Sequence, residues 1–375
     1  MRVSLGFTRV YTADDIRKPC RRSAILYDHR TVITVSTPII TPPTTTSPSY
    51  KSPSYKSPPT IAMAPLSAKW HPLAHLPSVP RSSHTLSVLH STLHHFSGES
   101  HDNRPPSGAE LHLLPLDPTV PLAITILASP SGPSPRVDAA AATLDDTLYV
   151  FGGRGGADMS PLEEGGRLWS FTAGAQSWEA VDPVDGGEFP SARGGHALVA
   201  AEGRVYVHAG VAESGMLGDL WAFVVAERRD GGDGRKGDLE VCGVGWSGCS
   251  RGEVGVYDIQ HDTWRTIEYP PSTGPAPRYS SCLVPLLHPG TKKEYLLTAF
   301  GESGESGGEV VKYLQDIWAY DIAAAEWCEV VTTGEKPLAR GRFGAAGKGG
   351  RWLAIQGGLD EAGERLGDWW VLMLE

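Results

Sequence analysis

The sequence predicts an all-β protein in which one four-stranded unit recurs around a common axis. Three observations carry that prediction: turn-forming residues are abundant and clustered, strand-like apolar runs lie between the clusters, and the same landmarks return at a near-constant interval. Glycine (44) and proline (30) make up about a fifth of the 375 residues, against roughly 12% in ordinary usage. That density argues against a helix bundle. Apolar residues are 40% and charged residues 20% of the chain, enough to bury a sizeable core. No run approaches the ~18 consecutive apolar residues of a membrane helix, so a soluble protein without a membrane partner is expected.

Charge divides the chain. Residues 1–62 carry nine Lys/Arg against three Asp/Glu, and the remainder carries 24 against 40. The acidic remainder repels phosphate backbones, which argues against nucleic acid as a partner. From Thr31 to Ala62 the chain is rich in Pro, Ser and Thr, with a tandem Ser-Pro-Ser-Tyr-Lys at 47–51 and 52–56. Such a tract buries too little apolar surface to offset chain entropy. The expected organisation is therefore a disordered, dispensable extension over 1–62 and a folded domain over 63–375. Asp14 and Asp15 interrupt the early arginines and no apolar run follows, so no secretory signal is read there. The five cysteines (Cys20, Cys242, Cys249, Cys282, Cys328) lack the spacing of a disulfide scaffold or zinc knuckle. A reducing compartment fits them, the cytoplasm first, with the nucleus left open.

The repeat organises everything after Met63. Each unit opens on an arginine: Arg81, Arg136, Arg193, Arg278 and Arg340. An apolar strand ending in a Gly pair or its relic follows, as in Tyr149-Val-Phe-Gly-Gly153, Tyr206-Val-His-Ala-Gly210, Leu297-Thr-Ala-Phe-Gly301 and Leu353-Ala-Ile-Gln-Gly-Gly358. An aromatic strand comes next: Leu168-Trp-Ser-Phe171, Leu220-Trp-Ala-Phe223, Ile317-Trp-Ala-Tyr320, Trp369-Trp-Val-Leu372. Trp178 and Trp327 stand nine residues after Trp169 and Trp318. Radial repetition of such sheets shields their edges, the arrangement of a β-propeller. Lys69–Leu73 is expected to supply the outermost strand of the last blade and so close the ring.

Successive arginines are 55, 57, 85 and 62 residues apart. The long third interval holds a Gly/Asp/Arg-rich run from Glu227 to Lys236, then Val254–Asp258 and Trp264, two strands without a blade opening. The ring has either five blades and an insertion or six blades with one incomplete, and the second is preferred.

These features resemble the kelch repeat over about 300 residues. The resemblance implies a kelch-type propeller that works as a protein- or ligand-binding module, its loops on one face and its channel mouth forming the site. The five opening arginines occupy one phase of the repeat. They either cap carbonyls and pair with acids or ring one channel end and hold an anionic ligand through bidentate contacts. Arg154, directly after Gly152-Gly153, is the sixth ligand-binding candidate.

Other motifs read as structure. Gly304-Glu-Ser306-Gly-Gly308 fits a nucleophile elbow, but no histidine follows His288. Gly243-Val-Gly245-Trp-Ser-Gly248 fits a dinucleotide fingerprint without a helix start after it. His84, His90, His94, His95, His101 and His112 crowd 29 residues. His94 and His95 point to opposite faces of a strand, so surface or turn hydrogen bonding is expected rather than a metal. His84 and His196 share a repeat position, which implies a structural task inside the blade turn.

Among kelch proteins the chain resembles the nitrile-specifier and thiocyanate-forming proteins of glucosinolate breakdown, and fungal kelch proteins related to them. The matching stretches are Arg81-Ser-Ser-His84, Tyr149-Val-Phe-Gly-Gly-Arg154, Ala192-Arg193-Gly-Gly and Phe300-Gly-Glu302. The resemblance implies an arginine near substrate after the Gly pair and a Glu-x3-Asp-x3-His run holding Fe2+. Glu302 matches the glutamate, but Ser306 and Val310 stand at the Asp and His positions, and Arg342 replaces an expected tryptophan. A lone carboxylate is a poor ferrous site. No cofactor is therefore expected, with an Fe2+-dependent specifier-like activity as the alternative. Galactose oxidase shares the propeller, but its copper site needs tyrosines and histidines, and no histidine follows His288 in this chain.

Overall fold

The fold was analysed as a computed structural model. It describes residues 65–100, 106–116, 122–224, 253–304, 312–347 and 350–375 apart from a few single positions, together with strand segments at 7–11, 20–21, 25–26, 37–38 and 241–242. All regular elements among the described residues are strands. Ser306, Val310, His101 and most of the 1–62 segment lie outside them.

Turn chemistry and period-two apolar runs fold the chain into antiparallel meanders. The first blade pairs Thr85–Leu89, Thr92–Phe96, Leu111–Pro115 and Thr125–Leu127 in that order. The second runs through Ala140–Leu144, Thr147–Phe151, Leu168–Thr172 and Ser177–Val181. The third contributes Ala197–Ala201, Arg204–His208 and Leu220–Val224. Its outermost place is taken from far away in sequence: Phe7–Tyr11 pairs antiparallel with Leu220–Val224, Thr8 opposite Ala222. The fourth blade keeps Glu253–Asp258 and Thr263–Glu268 as a two-stranded sheet. The fifth has Cys282–Leu287, Glu294–Ala299, Ile317–Asp321 and Glu326–Thr333. The sixth has Gly344–Ala346, Trp352–Leu359 and Arg365–Leu374.

The ring closes as the sequence implies. Leu66–Pro72 lies antiparallel to Arg365–Leu374 as the outermost strand of the sixth blade, with Trp70 opposite Leu372. It does more than expected, because its other edge pairs in parallel with Glu326–Thr333, Val330 opposite Leu66. One strand therefore joins the fifth and sixth blades into a single eight-stranded sheet. Trp70 is buried between them, its ring 5.8 Å from Phe300 and 6.3 Å from Trp370.

The core lies between blades rather than within them. Phe96 and Leu111 of the first blade pack with Val150, Phe171 and Trp178 of the second. Phe151 and Leu168 of the second meet Leu198, Val207 and Trp221 of the third. The incomplete blade is no gap in this series. Val256 and Tyr257 join Val199 and Tyr206 of the third to Leu283, Tyr320 and Trp327 of the fifth. The ring thus has six positions, the fourth one incomplete.

The closing strand yields a stability expectation. Truncating a buried aromatic in a close-packed core costs about 3–5 kcal/mol. Trp70→Ala should lower the denaturant midpoint by that equivalent, whereas Val331→Ala, at a half-exposed position on the neighbouring strand, should leave it nearly unchanged. Equal midpoints for both variants would show that the clasp does not hold the ring.

Candidate functional site

The arginine phase of the repeat builds the framework of one face. Arg193 is fully buried, and all five of its donors are engaged. Nε donates to the Ser191 carbonyl, Nη1 to the Ala209 carbonyl and Asp219 Oδ1, and Nη2 to Ser191 Oγ and Asp219 Oδ2, at 2.6–3.2 Å. Arg136 repeats the pattern with Ser134, Gly152 and a bidentate Glu164. Arg278 does so with Ala276, Phe300 and Asp316, and Arg340 with Leu338, Gly357 and Asp368. Each acid also accepts an indole N–H, from Trp169, Trp221, Trp318 or Trp370. Burial alone would raise the pKa of these carboxyls. The guanidinium beside each overrides it and holds Glu164, Asp219, Asp316 and Asp368 below the ordinary range.

Four of the six candidate ligand-binding arginines are therefore occupied by the protein's own groups. Their fork fixes the chain before the innermost strand, at the Gly pair and before the third strand in one stroke. The carbonyl they bind belongs to Gly152, Ala209, Phe300 or Gly357, each in the left-handed region at φ 55–62°. Non-glycine residues tolerate that region at a modest cost. The next residue is always glycine, at φ 98–104°, where an added Cβ would lie 2.7–3.0 Å from a backbone oxygen at Gly153, Gly301 and Gly358. That is why the pair survives only in its second member. Arg81 departs from the pattern. It is partly exposed, donates to its neighbour Pro80, and interacts with Glu110 only at longer range, while burial lowers its pKa.

Around the axis the blades are laced by backbone. The second glycine N–H of one blade donates to the opening-arginine carbonyl of the next: Gly98 to Arg136, Gly153 to Arg193, Gly301 to Arg340 and, across the closing seam, Gly358 to Arg81. Two residues beyond each arginine a second circle runs. The Arg342 N–H donates to Ser280, Ser83 to Arg342, Asp138 to Ser83 and Gly195 to Asp138, at 2.8–3.0 Å. This circle surrounds the channel mouth. Each of these four amides donates to a backbone carbonyl of a neighbouring blade, so the circle itself draws on no side chain.

Those side chains carry the candidate site. Arg154 reaches from beside the second Gly pair to Asp138, with Nε and Nη2 on the same carboxylate oxygen. Arg342 holds buried Glu302 through Nε alone, at 3.1 Å. Burial lowers the pKa of Arg342, and Glu302, followed by Asp138, more than reverses this. Tyr279 and Tyr313 flank Glu302, burial and then its charge raising their pKa values. Across the seam between the sixth and first blades, Arg365 binds Glu99 at 2.8 Å. The mouth thus sets three arginines beside three carboxylates. Arg154 and Arg342 are its accessible cations, with side chains 38% and 28% exposed.

The residues around Glu302 do not fit a ferrous ion. Its neighbours here are a guanidinium and two phenols, and a cation approaching it meets the charge of Arg342. The described residues bring no group of three or more metal-binding side chains together.

The histidines correct the surface expectation. His84 and His95 are buried, their rings 4.5 Å apart, with His112 5.2 Å and Trp369 6.0 Å from His95. They fill the seam between the first and sixth blades. The strand alternation that separates His94 from His95 does hold, but in a propeller both faces of an inner strand meet a neighbouring blade, so both residues are buried. Desolvation, helped by Arg81, pushes His84 down to about 3, and His95 well below its ordinary 6.5. His196, against Phe151 at 5.4 Å, is likewise pushed down to about 3.

Comparison with known proteins agrees with this architecture. Residues 62–229 match the model of the KLHDC2/KLHL20/DRC7 Kelch-repeats domain. The chain is 27% identical over 281 residues to N-(sulfonatooxy)prop-2-enimidothioate sulfolyase of Thlaspi arvense, covering 74% of this chain and 70% of that one. It is 36% identical over 92 residues to the Rab9 effector protein with kelch motifs of Xenopus laevis, about a quarter of either protein, and 37% over 89 residues to its Bos taurus counterpart. Among solved structures, that of YjhT superposes with a TM-score of 0.54 at 19% identity, covering 78% of this chain and 96% of its own.

Two outcomes follow from this geometry. Removing one partner of a buried pair leaves an uncompensated charge and costs about 3–5 kcal/mol. Arg193→Ala, and also Arg193→Lys, which cannot reproduce the fork, should each lose several kcal/mol in urea unfolding. The buried histidines give a pH window. The unfolded chain binds their protons near pH 6.5 while the folded chain refuses them until about 3 for His84 and His196, so stability is complete above 6.5 and declines as pH falls. The loss should begin well above the range where the depressed carboxyls titrate, and His196→Leu should flatten the slope of midpoint against pH between 6.5 and 5. An unchanged slope would exclude it as a contributor.

Proposed function

We propose that this kelch-type β-propeller is a protein-binding module whose contact surface is the face carrying the opening arginines, the Gly pairs and the channel mouth. The observation that carries this reading is the division of labour on that face. Arg136, Arg193, Arg278 and Arg340 are locked to internal acids, while Arg154 and Arg342 keep partly exposed side chains at the mouth. Each is held to its carboxylate on one side only, so an acidic side chain of a partner has a positioned cation to meet. Loops on this face vary in length while the buried forks stay constant, the usual basis for recognition on a repeated scaffold. Relatives named as Rab9 effectors support a binding task, and the reading needs no cofactor. A small anionic ligand would use the same two arginines. A reducing compartment, the cytoplasm first, accords with the buried free thiols of Cys282 and Cys328.

A second reading comes from the sulfolyase relative: a specifier-like activity on unstable sulfur-containing intermediates with Fe2+. The pairing of Glu302 with Arg342 weighs against it.

Two measurements separate these readings. Full-length chain immobilised against an extract of its source cells should retain a partner that Arg154→Ala/Arg342→Ala loses while still folded at the assay temperature, the loss of the Arg342–Glu302 pair lowering its melting temperature. Identical retention by the variant would overturn the assignment to the mouth. Elemental analysis should find far less than one iron per chain, and stoichiometric iron lost on Glu302→Gln would establish the second reading instead.

A further inference from the structure

The circle of backbone bonds at the mouth runs from Ser280 through Arg342, Ser83 and Asp138 to Gly195. It leaves the rung between Gly195 and Ser280, where the fourth blade should open, to be filled from elsewhere. That blade has its last two strands but no opening arginine between 193 and 278 in the repeat phase.

Residues 7–26 have the order and spacing of the missing piece. In every complete passage the outermost strand of one blade leads, through a connecting segment, to an arginine and then to the innermost strand of the next. Phe7–Tyr11 already occupies the outermost place of the third blade. Ten residues after Tyr11 stands Arg21, against nine from Leu127 to Arg136 and seven from Thr333 to Arg340. The innermost strands begin four residues after their arginines: Thr85, Ala140, Ala197, Cys282 and Gly344. Ile25, which opens the short strand Ile25–Leu26, stands four residues after Arg21.

Pairing places that strand accordingly. Innermost strands neighbour one another around the ring, Gly344–Ala346 beside Thr85–Leu89, which lies beside Ala140–Leu144, which lies beside Ala197–Ala201. Ile25–Leu26 lies beside Ala197–Ala201 in turn. It pairs antiparallel with Val241–Cys242, which packs on Glu253–Asp258. The fourth position then reads Ile25–Leu26, Val241–Cys242, Glu253–Asp258, Thr263–Glu268, two hydrogen-bonded pairs in contact with each other.

We infer that the strands between residues 7 and 26 are a structural part of the propeller, Phe7–Tyr11 supplying the outer strand of the third blade, and Arg21 and Ile25–Leu26 standing where the opening arginine and inner strand of the fourth belong. Two segments remote in sequence thus close the ring at different points, Leu66–Pro72 at the sixth blade and Phe7–Leu26 at the third and fourth. The inference stands independently of the partner assigned to the mouth.

The test uses the full-length chain with Cys20, Cys242 and Cys249 replaced by serine. Under mild oxidation Thr8→Cys/Ala222→Cys should form a disulfide identified in the peptide map, and Thr8→Cys/Ala180→Cys, aimed at the filled outer strand of the second blade, should not. In the otherwise native chain, Arg21→Ala and Arg340→Ala should each lower the melting temperature by several degrees, while Arg30→Ala should leave it in place. Absence of the first disulfide, equal yields of both, or an Arg21→Ala melting temperature equal to that of Arg30→Ala would overturn the inference.

Discussion

The propeller depends on a buried guanidinium that binds three points of its blade at once. An arginine with no exposed side-chain surface is tolerable only when its charge is matched and its donors are engaged. Arg193 meets both conditions through Asp219, the Ala209 carbonyl and the Ser191 pair. The same groups are what the blade must hold: the entry of the first strand, the exit of the second and the entry of the third. Lysine offers charge without the planar fork, and a neutral side chain leaves the acid stranded. The interaction also settles which of two forms the Gly pair takes. The first member lends a carbonyl to the fork and needs only a left-handed φ, so Ala209 and Phe300 stand there. The second bears the close approach of the next chain and stays glycine.

Blades so stiffened still have no core of their own. Each apolar cluster is shared by neighbours, so a blade is stable only in company, and one whose strands come from distant stretches of chain serves as long as they fill the space between two others. Val256 and Tyr257 do this at the fourth position, packed among residues of the third and fifth blades. The same dependence explains why the clasp strand pairs on both edges. Leu66–Pro72 covers the outer edges of two blades, which removes a pair of exposed sheet edges at the place where the ring is joined.

Much of this was legible because the repeat is written in residues that only one geometry satisfies. The arginine phase, the Gly pairs and the aromatic strands located the blades, and the counted intervals exposed the anomaly at the fourth. The acids that receive the arginines went unrecognised, although Asp219-x-Trp221, Asp316-x-Trp318 and Asp368-x-Trp370 repeat them in plain view. Glu164 breaks that spacing, and its longer side chain restores the contact from elsewhere on the loop. The buried histidines were not legible. Alternation along a strand tells which side a residue faces, and only the neighbouring blade decides whether that side is wet. Arg342 was visible merely as a departure from a tryptophan; its meaning came from the approach of Glu302, forty residues away in sequence.

The channel mouth is where recognition can change without cost to the frame. Its N–H and carbonyl groups pair along the backbone from Ser280 to Gly195, so these bonds draw on none of the side chains at those positions. Ser83, Asp138, Gly195, Ser280 and Arg342 accordingly differ in size and charge at one repeat position, whereas the arginine two residues earlier does not vary at all. Constancy marks the residues that hold blades together, and variety marks those that face outward from the same turns. Under the binding role proposed above, a partner would meet the second set, carried on the rigidity of the first.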